Sequence, residues 1–170
     1  MKQVLILSKY DWKGASSRYR TMQYVPHLKQ RGIEAHVSPL FSNSYLNKLY
    51  SSGSKPLSKA IASYLRRLVR LPEIHNYDLV IIEKEIFPYI PAVLEHILSR
   101  SSIPYIVDYD DAIFHNYDNS DSMIVRSVLG NKITKVMRRA SAVVVGNEYI
   151  RQYAESAGAG DIYKIPTVID

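Results

Sequence analysis

The sequence predicts an α/β fold built on a doubly wound parallel sheet, and two patterns indicate it. Short, continuous apolar runs recur along the chain, which is typical of strands buried on both faces. Segments with helical spacing of apolar residues separate these runs, so strand and helix alternate throughout. Because alternation of this kind places helices on each side of a parallel sheet, we expect a sheet of six or seven strands.

The strands and helices are predicted by their periodicity and by the residues that bound them. The predicted strands, in chain order, are residues 4–8, 33–40, 78–82, 105–107, 142–145 and 162–165. The predicted helices are residues 17–31, 57–71, 91–100, 123–139 and 148–156. Residues 41–56 are rich in Ser, Asn and Gly, and we expect a loop there with a short helical piece.

Proline and glycine define the first predicted helix. Ser16 or Ser17 is the expected N-cap, and Gly32 is expected just beyond the last turn, where glycine commonly ends helices. Pro26 lies inside this span and lacks an N–H, so we expect a kink or a fresh start near Tyr24.

The segment 57–71 is strongly amphipathic. Its apolar residues fall on one stripe, which consists of Leu57, Ile61, Tyr64, Leu65, Leu68 and Leu71. Lys59, Arg66 and Arg70 fall on the opposite side. We expect the apolar stripe to pack on the core with the basic side outward; the alternative is a helix that lies on an anionic bilayer.

The bulk composition fits one globular domain. The chain has 170 residues, of which 46% are apolar and 22% are charged. Cysteine is absent, which excludes disulfides and thiolate metal sites, and no apolar stretch approaches the length of a membrane span. We expect one domain over residues 1–165, with residues 166–170 as the start of a linker to a further domain. Such a protein is expected to be cytoplasmic.

Charge is distributed unevenly along the chain. Residues 1–72 contain 13 Lys and Arg but 2 Asp and Glu, a net charge of +11, whereas residues 73–170 contain 9 and 14, a net charge of −5. The basic part favours an anionic partner such as nucleic acid, an anionic membrane or a phosphorylated ligand. Solvated helix faces are the alternative.

An acidic cluster follows the fourth predicted strand. Asp108, Asp110 and Asp111 lie within four residues, and Tyr109 separates the first two. Crowded carboxylates raise the cost of ionising all of them, which a fold tolerates where a ligand, metal or cation compensates. Ligands bind at the carboxyl ends of strands in open α/β sheets, so this cluster is a candidate functional site.

The loop after the first strand is a second candidate. Gly14 permits close backbone approach to a ligand, and the helix that follows offers free N–H groups to a phosphate. Arg18 and Arg20 add donors suited to phosphate or carboxylate, and they are the expected compensating charge for the acidic cluster. The loop matches neither the dinucleotide nor the P-loop pattern, and a glycine that serves only the turn is the alternative.

Polar residues follow other predicted strands. Glu83 follows the third, Asn147 follows the fifth, and His115 lies near the acidic cluster, where it could serve as a base or contact a sugar. The rings of Tyr109 and Tyr117 flank the cluster and could stack on a sugar. No histidine spacing indicates a metal site.

Four motifs, in this order, resemble the N-terminal half of glycosyltransferase family 4 enzymes, which have the GT-B fold of two Rossmann-like domains. The first runs from Ser8 through the loop 14–20 to Ile33-Glu34, and the second is the acidic segment 108–113, which resembles that of one bacterial branch. The third and fourth are residues 143–149 and 165–170. The resemblance covers essentially the whole chain.

The resemblance implies a retaining hexosyltransferase that moves a sugar from a nucleotide-sugar to a glycan or lipid-linked acceptor in bacterial surface polysaccharide synthesis. Gly14 and Ala15 would approach the donor diphosphate or sugar, and Asp110 and Asp111 would be catalytic, where many relatives carry a histidine. Acceptor-binding residues would be Arg18, Arg20, Glu83, Asp108, Tyr109, His115 and Asn147.

The resemblance also implies partners and limits. The chain would pair with its own C-terminal domain, which holds most of the donor. A location at an anionic membrane surface, on the inner membrane face, is a separate hypothesis that rests on the basic segment 1–72 and on Lys59, Arg66 and Arg70. We expect no cofactor, no metal and no nucleic acid, and no transfer activity from this half alone.

Two other functions fit the residues. A haloacid-dehalogenase-like phosphatase would use Asp108 as nucleophile and Asp110 as acid, with magnesium, although Ala112 stands where that class has Thr or Val. A non-catalytic, basic α/β binding module would use the positive segment, although the motifs of known RNA-binding modules are missing.

Overall fold

The structure, a computed structural model, describes residues 1–53 and 56–168. Ser54 and Lys55, and Ile169 and Asp170 at the end of the predicted linker, lie outside the described residues. Six strands form a sheet in the order β2-β1-β3-β4-β5-β6. They are Lys2–Tyr10 (β1), Ile33–Phe41 (β2), Leu79–Glu83 (β3), Tyr105–Tyr109 (β4), Ala142–Val145 (β5) and Asp161–Lys164 (β6). The predicted α/β class with a parallel sheet is confirmed.

The chain divides into two compact units. Unit 1 is Met1–Val80 together with Val168, and unit 2 is Ile81–Thr167. The boundary between them falls within β3, after Val80. The prediction of one domain over residues 1–165 stays a prediction.

Unit 1 is built on the parallel pair β1 and β2, in which Leu5 lies opposite His36 and Ser8 lies opposite Pro39. Its helices are Ala15–Arg20 (α1), Val25–Gln30 (α2), Asn43–Ser52 (α3) and Leu57–Arg70 (α4). Two 3-10 turns, Met22–Tyr24 and Leu71–Asn76, complete the unit. The core consists mainly of β1 residues Val4 to Leu7, with Leu40 and Leu46.

The helical segment after β1 begins earlier than predicted and is interrupted where predicted. Gly14, not Ser16 or Ser17, is the N-cap of α1. Ser17 is instead buried, and its hydroxyl accepts a hydrogen bond from the Tyr10 N–H at 3.1 Å. Pro26 occupies the first turn of α2, so the fresh start is confirmed, because its missing N–H is not needed there. Gly32 has a φ of 75°, as expected of a residue that ends a helix.

The helix α3 is longer than the short piece predicted for residues 41–56. Its first turn buries Tyr45 and Leu46, and the Tyr45 ring stacks on Phe41 with centroids 4.3 Å apart. Gly53 then ends the helix in the left-handed conformation. The Ser and Asn residues of this segment are typical of a loop, and its buried apolar residues are concentrated in one turn. The sequence therefore shows little helical periodicity here.

The helix α4 begins at the predicted residue and ends one residue before the predicted bound, but it does not have the predicted orientation. Its buried residues are Ser63 and Arg67, whereas Leu57, Ile61, Leu65 and Leu68 are each at least half exposed. Of the predicted stripe, Tyr64 and Leu71 are partly covered, and the Tyr64 ring lies 6.2 Å from that of Phe41. The apolar side of this helix therefore faces outward in unit 1.

Unit 2 contains the parallel strands β4, β5 and β6, with Val107 opposite Val143 and Val143 opposite Ile162. Its helices are Val93–Leu98 (α5), His115–Asp118 (α6), Met123–Leu129 (α7), Lys132–Arg139 (α8) and Glu148–Ser156 (α9). Residues 123–139 thus form two helices, interrupted after Leu129, instead of one. No helix in the described part of the chain is both long and apolar enough to cross a membrane.

Candidate functional site

The acidic cluster after β4 is held by a lysine that follows β3. Lys84 is buried and adopts the left-handed conformation with a φ of 68°, which is uncommon for a residue with a side chain. Its N–H donates to the Asp108 carbonyl at 2.9 Å. Its Nζ lies 2.9 Å from Asp110 Oδ1 and 2.6 Å from Asp111 Oδ2. One ammonium group therefore compensates two of the three crowded carboxylates.

The protonation of Lys84 is set by two opposing effects. Burial lowers the pKa of its ammonium, but the attraction of Asp110 and the hydrogen bond to Asp111 outweigh burial and raise the pKa above its usual value. Lys84 therefore stays charged at neutral pH. A left-handed backbone that is held in place by an ion pair is a strained arrangement of the kind found at functional sites.

The two paired carboxylates differ in their access to solvent. The Asp110 side chain is 15% exposed, whereas that of Asp111 is 65% exposed. Asp111 thus offers an oriented carboxylate to solvent, and Asp110 mainly anchors Lys84. An oriented carboxylate can accept a proton from a hydroxyl group or stabilise a developing positive charge.

A second buried network is centred on Glu85, the residue that follows Lys84. Lys132 of α8 is buried, and its ammonium donates to Glu85 and, at 2.6 Å, to the Phe87 carbonyl. The Tyr117 hydroxyl donates to both Glu85 oxygens at 2.7 and 2.8 Å. Burial, and then the charge of Glu85, raise the pKa of Tyr117, so its hydroxyl keeps its proton. The network fixes the segment after β3 on which Lys84 lies.

Several predicted site residues are buried in unit 2. Tyr109 is fully buried, as is Tyr117, so neither ring offers a face on which a sugar could stack, contrary to our expectation. Asp108 and Glu83 are buried as well. These side chains support the site from within and do not line an open surface of the unit.

His115 and Asn147 remain accessible but have structural partners. The imidazole of His115 lies 3.0 Å from Asp118 Oδ1 and 2.6 Å from the Tyr149 hydroxyl. The Asn147 side chain accepts from the Ile150 N–H at 3.0 Å and so caps α9. A capping role accounts for Asn147 without a ligand.

In unit 1, the loop after β1 places Gly14 at the start of α1, with the exposed Ala15 next to it. Arg18 donates to the Trp12 carbonyl at 3.3 Å, and its guanidinium lies 4.5 Å from the centre of the Tyr19 ring. Arg18 and Arg20 are partly exposed and thus accessible to an anionic group. That Arg18 and Arg20 help to compensate the acidic cluster stays a prediction.

Gly14 has a structural explanation that involves no ligand. A Cβ at this position would lie 2.3 Å from the Tyr10 Cβ, while its φ of −78° is open to any residue. Glycine is therefore required here because a side chain would collide with Tyr10, and not because the backbone adopts a conformation that only glycine tolerates. The close packing of the loop on Tyr10 competes with the interpretation that Gly14 makes room for a donor phosphate.

We expect Gly14→Ala to lower the free energy of unfolding by about 1–3 kcal/mol, because the added methyl overpacks the contact with Tyr10. Urea unfolding followed by circular dichroism measures the change. Gly160→Ala is the matched control, since a Cβ there meets open space, and it should be neutral or slightly stabilising. Equal stability of the two variants would contradict the overpacking at Gly14.

Two of the cavities among the described residues of unit 1 lie beside α4. One, of about 430 Å³, lies against β1 and β2 and is lined in part by His36, Arg67, Arg70 and Tyr77. The other, of about 220 Å³, is lined in part by Asp11, Ser42 and Arg66. Neither involves the acidic cluster. Among the described residues, no group of three His, Asp or Glu side chains is placed to hold a metal ion.

Comparison with solved structures shows which known fold this is. UGT89C1 of Arabidopsis thaliana, complexed with UDP-L-rhamnose, matches with a TM-score of 0.54 and 11% identity, over 99% of this chain and 52% of that protein. The chain has the Rossmann-like α/β fold of GT-B glycosyltransferase domains. UGT73P12 of Glycyrrhiza uralensis, complexed with glycyrrhetinic acid 3-O-monoglucuronide, matches with a TM-score of 0.49 and 11% identity, over 97% of this chain and 48% of that protein.

The similarity to these solved structures covers only part of their length. The chain spans about half the length of the two solved structures. No family model matches it, and no curated protein does either. Membership of glycosyltransferase family 4 therefore remains an inference from the motifs.

Two lysines of the site were not predicted from the sequence. Lys84 stands between Glu83 and Glu85, and the compensating charge for the acidic cluster was expected from Arg18 and Arg20 instead. Lys132 falls in a segment with the pattern of an ordinary helix. The available signal for Lys84 was its place at the carboxyl end of a buried strand, where a cation can reach carboxylates at the end of a neighbouring strand.

Proposed function

We propose that this chain is the acceptor-side half of a GT-B glycosyltransferase. In this proposal the enzyme moves a sugar from a nucleotide-sugar to a glycan or lipid-linked acceptor, and a second Rossmann-like domain holds most of the donor. The observation that carries the proposal is the exposed Asp111 carboxylate, oriented by Lys84 at the carboxyl end of β4. The GT-B-type fold, and the match to about half of a protein complexed with UDP-L-rhamnose, support it.

The geometry suggests a division of work in the site. Asp111 accepts a hydrogen bond from a hydroxyl of the acceptor or of the transferred sugar, and its charge stabilises the positive charge that develops at the anomeric carbon. Lys84 and Asp110 hold that carboxylate in place, so its orientation costs little when substrate binds. Arg18 and Arg20 are available for an anionic group of the acceptor or donor.

The finer assignment follows the sequence motifs. We propose family 4, transfer with retention of configuration, and a role in bacterial surface polysaccharide synthesis on the cytoplasmic side of the membrane. The proposal includes no resident metal or cofactor, because positioned side chains supply the electrostatic work.

The phosphatase alternative is less consistent with the structure. It needs Asp108 as a nucleophile, and the Asp108 side chain is largely buried while its carbonyl accepts from Lys84. It also needs Asp110 as a free acid, and Asp110 is instead paired with Lys84.

The experiment is nucleoside diphosphate release by the full-length gene product. We expect at least one UDP-, GDP- or dTDP-sugar, supplied with lipid-linked glycan acceptors, to yield nucleoside diphosphate at an unchanged rate in EDTA. Magnesium-dependent release of inorganic phosphate from phosphomonoesters, with no nucleoside diphosphate formed, would overturn the proposal in favour of the phosphatase.

A further inference from the structure

The proposed function leaves the exposed face of α4 unexplained. Five aliphatic side chains on one side of this helix are at least half exposed: Leu57 at 72%, Ile61 at 54%, Leu65 at 57%, Leu68 at 50% and Val69 at 77%. We call these five residues the α4 stripe. It extends over about 18 Å, given the rise of 1.5 Å per residue. A contiguous apolar patch of this kind marks an interaction surface.

Polar contacts fix the rotation of α4 that exposes the stripe. The buried Arg67 guanidinium donates to the Ser8 and Ser38 carbonyls, each at 2.6 Å. Arg66 donates to the Leu40 carbonyl at 3.0 Å. Turning the stripe inward would break these bonds and leave strand carbonyls without donors, which is costly for buried groups.

The charges near the α4 stripe indicate what kind of surface the stripe contacts. Residues 35–72 contain six Lys and Arg and no Asp or Glu. Lys59, Arg66 and Arg70 all lie along one side of the helix, and the hydrogen bonds that Lys59 and Arg66 donate go to neutral carbonyls. Asp11 lines a cavity together with Arg66, Arg67 and Arg70, so positive charge predominates there. An apolar side with a basic side opposite it is the pattern of a helix that lies in the interface of an anionic bilayer.

We propose that α4 docks this protein on an anionic lipid bilayer. The α4 stripe enters the boundary between headgroups and acyl chains, and Lys59, Arg66 and Arg70 reach the lipid phosphates with their long side chains. The proposal rests on α4 alone and not on the proposed transferase activity. It extends that function by placing the protein at the surface where a lipid-linked acceptor would lie.

The test is co-sedimentation of the protein with vesicles of phosphatidylcholine, or of phosphatidylcholine with about one-third phosphatidylglycerol. We expect binding to the anionic vesicles only, weakening as salt rises because the cation–phosphate attraction is screened. Equal sedimentation with both compositions at low salt, or with neither, overturns the proposal.

Variants separate the two contributions. Ile61→Ser with Leu65→Ser should lower the partition coefficient by about tenfold or more, since two side chains of the α4 stripe lose their apolar contact with the acyl chains. Lys59→Gln with Arg66→Gln and Arg70→Gln should lower it about fivefold for each charge removed. The matched control is Val93→Ser with Ile97→Ser, which removes two similarly exposed aliphatic side chains from α5, next to Glu95.

The control pair should bind vesicles as the wild type does, and circular dichroism should show all variants folded. Equal loss of binding in the α5 and α4 pairs would mean that general hydrophobicity, not α4, drives sedimentation, and would overturn the proposal. So would a wild-type dimer in solution that the α4 pair converts to a monomer without changing vesicle binding, since a second copy would then cover the stripe.

Discussion

Asp111→Asn in the full-length protein is expected to lower kcat for sugar transfer by about 10²-fold or more, the range for loss of a positioned catalytic carboxylate. Asparagine keeps the shape of the side chain but removes the negative charge that would accept a proton or stabilise the anomeric carbon. The rate of nucleoside diphosphate release at saturating donor and acceptor measures the effect. If the mutation acts on charge in the transition state, KM for the donor should change little.

Stability should be affected much less than turnover. The Asp111 side chain is 65% exposed, and Asp110 remains paired with Lys84 when Asp111 is neutralised. For an exposed group we expect a loss of no more than about 1 kcal/mol in the free energy of unfolding. Asp121→Asn, which neutralises an exposed carboxylate before α7, is the control and should leave both turnover and stability unchanged.

Wild-type turnover in Asp111→Asn would show that Asp111 is not catalytic. It would not contradict the proposed glycosyltransferase activity, which the release of nucleoside diphosphate from nucleotide-sugars tests separately. A parallel loss of turnover and folded fraction would show instead that Asp111 acts through the ion pair with Lys84. The two outcomes differ in the ratio of kcat loss to the change in unfolding free energy, so they are distinguishable.

The fold class could be predicted from the sequence because short stretches of residues are enough to indicate each strand and most helix boundaries. Buried strands such as Val143 to Val145 read as continuous apolar runs, and Gly32 and Pro26 mark helix boundaries through φ and the missing N–H. Boundaries shifted by a few residues where the decisive contact is not local. Ser17, for example, looks like a helix cap but is buried to accept the Tyr10 N–H.

The orientation of α4 could not be predicted from the periodicity of its apolar residues. The pattern establishes that one side of a helix is apolar and the other basic, but it does not say which side faces the core. Here the carbonyl oxygens of Ser8 and Ser38 accept from Arg67, and these acceptors belong to distant strands. No local pattern around Arg67 distinguishes it from the solvent-exposed Arg66 and Arg70.

The candidate site was predicted in part. The acidic cluster was predicted at the carboxyl end of the fourth strand because an apolar run leads directly into it, and β4 does end at Tyr109 within the cluster. The compensating partner was not found, since Lys84 is 24 or more residues away from the cluster in sequence. It reaches the cluster because β3 and β4 are neighbours in the sheet, where the Lys84 N–H donates to the Asp108 carbonyl. Tyr109 and Tyr117 were predicted to face a ligand because the sequence gives their neighbours but not their burial.

Lys132→Met is expected to lower the free energy of unfolding by about 3–5 kcal/mol, the cost of leaving a buried carboxylate without its partner. Methionine keeps nearly the length and volume of lysine, so packing is largely preserved. The loss then reflects two acceptors that lose the ammonium, the Phe87 carbonyl and Glu85, of which Glu85 keeps the Tyr117 hydroxyl. Urea unfolding of the wild type and the variant, with a check that the m-value is unchanged, measures it.

Lys135→Met tests whether burial of the charge is the cause, because Lys135 lies one turn away on the same helix but is exposed. That variant should unfold within about 0.5 kcal/mol of the wild type. The double variant Glu85→Gln with Lys132→Met removes both charges, so it should lose less than the sum of the two single variants. Additive losses would mean that Glu85 and Lys132 stabilise the fold separately.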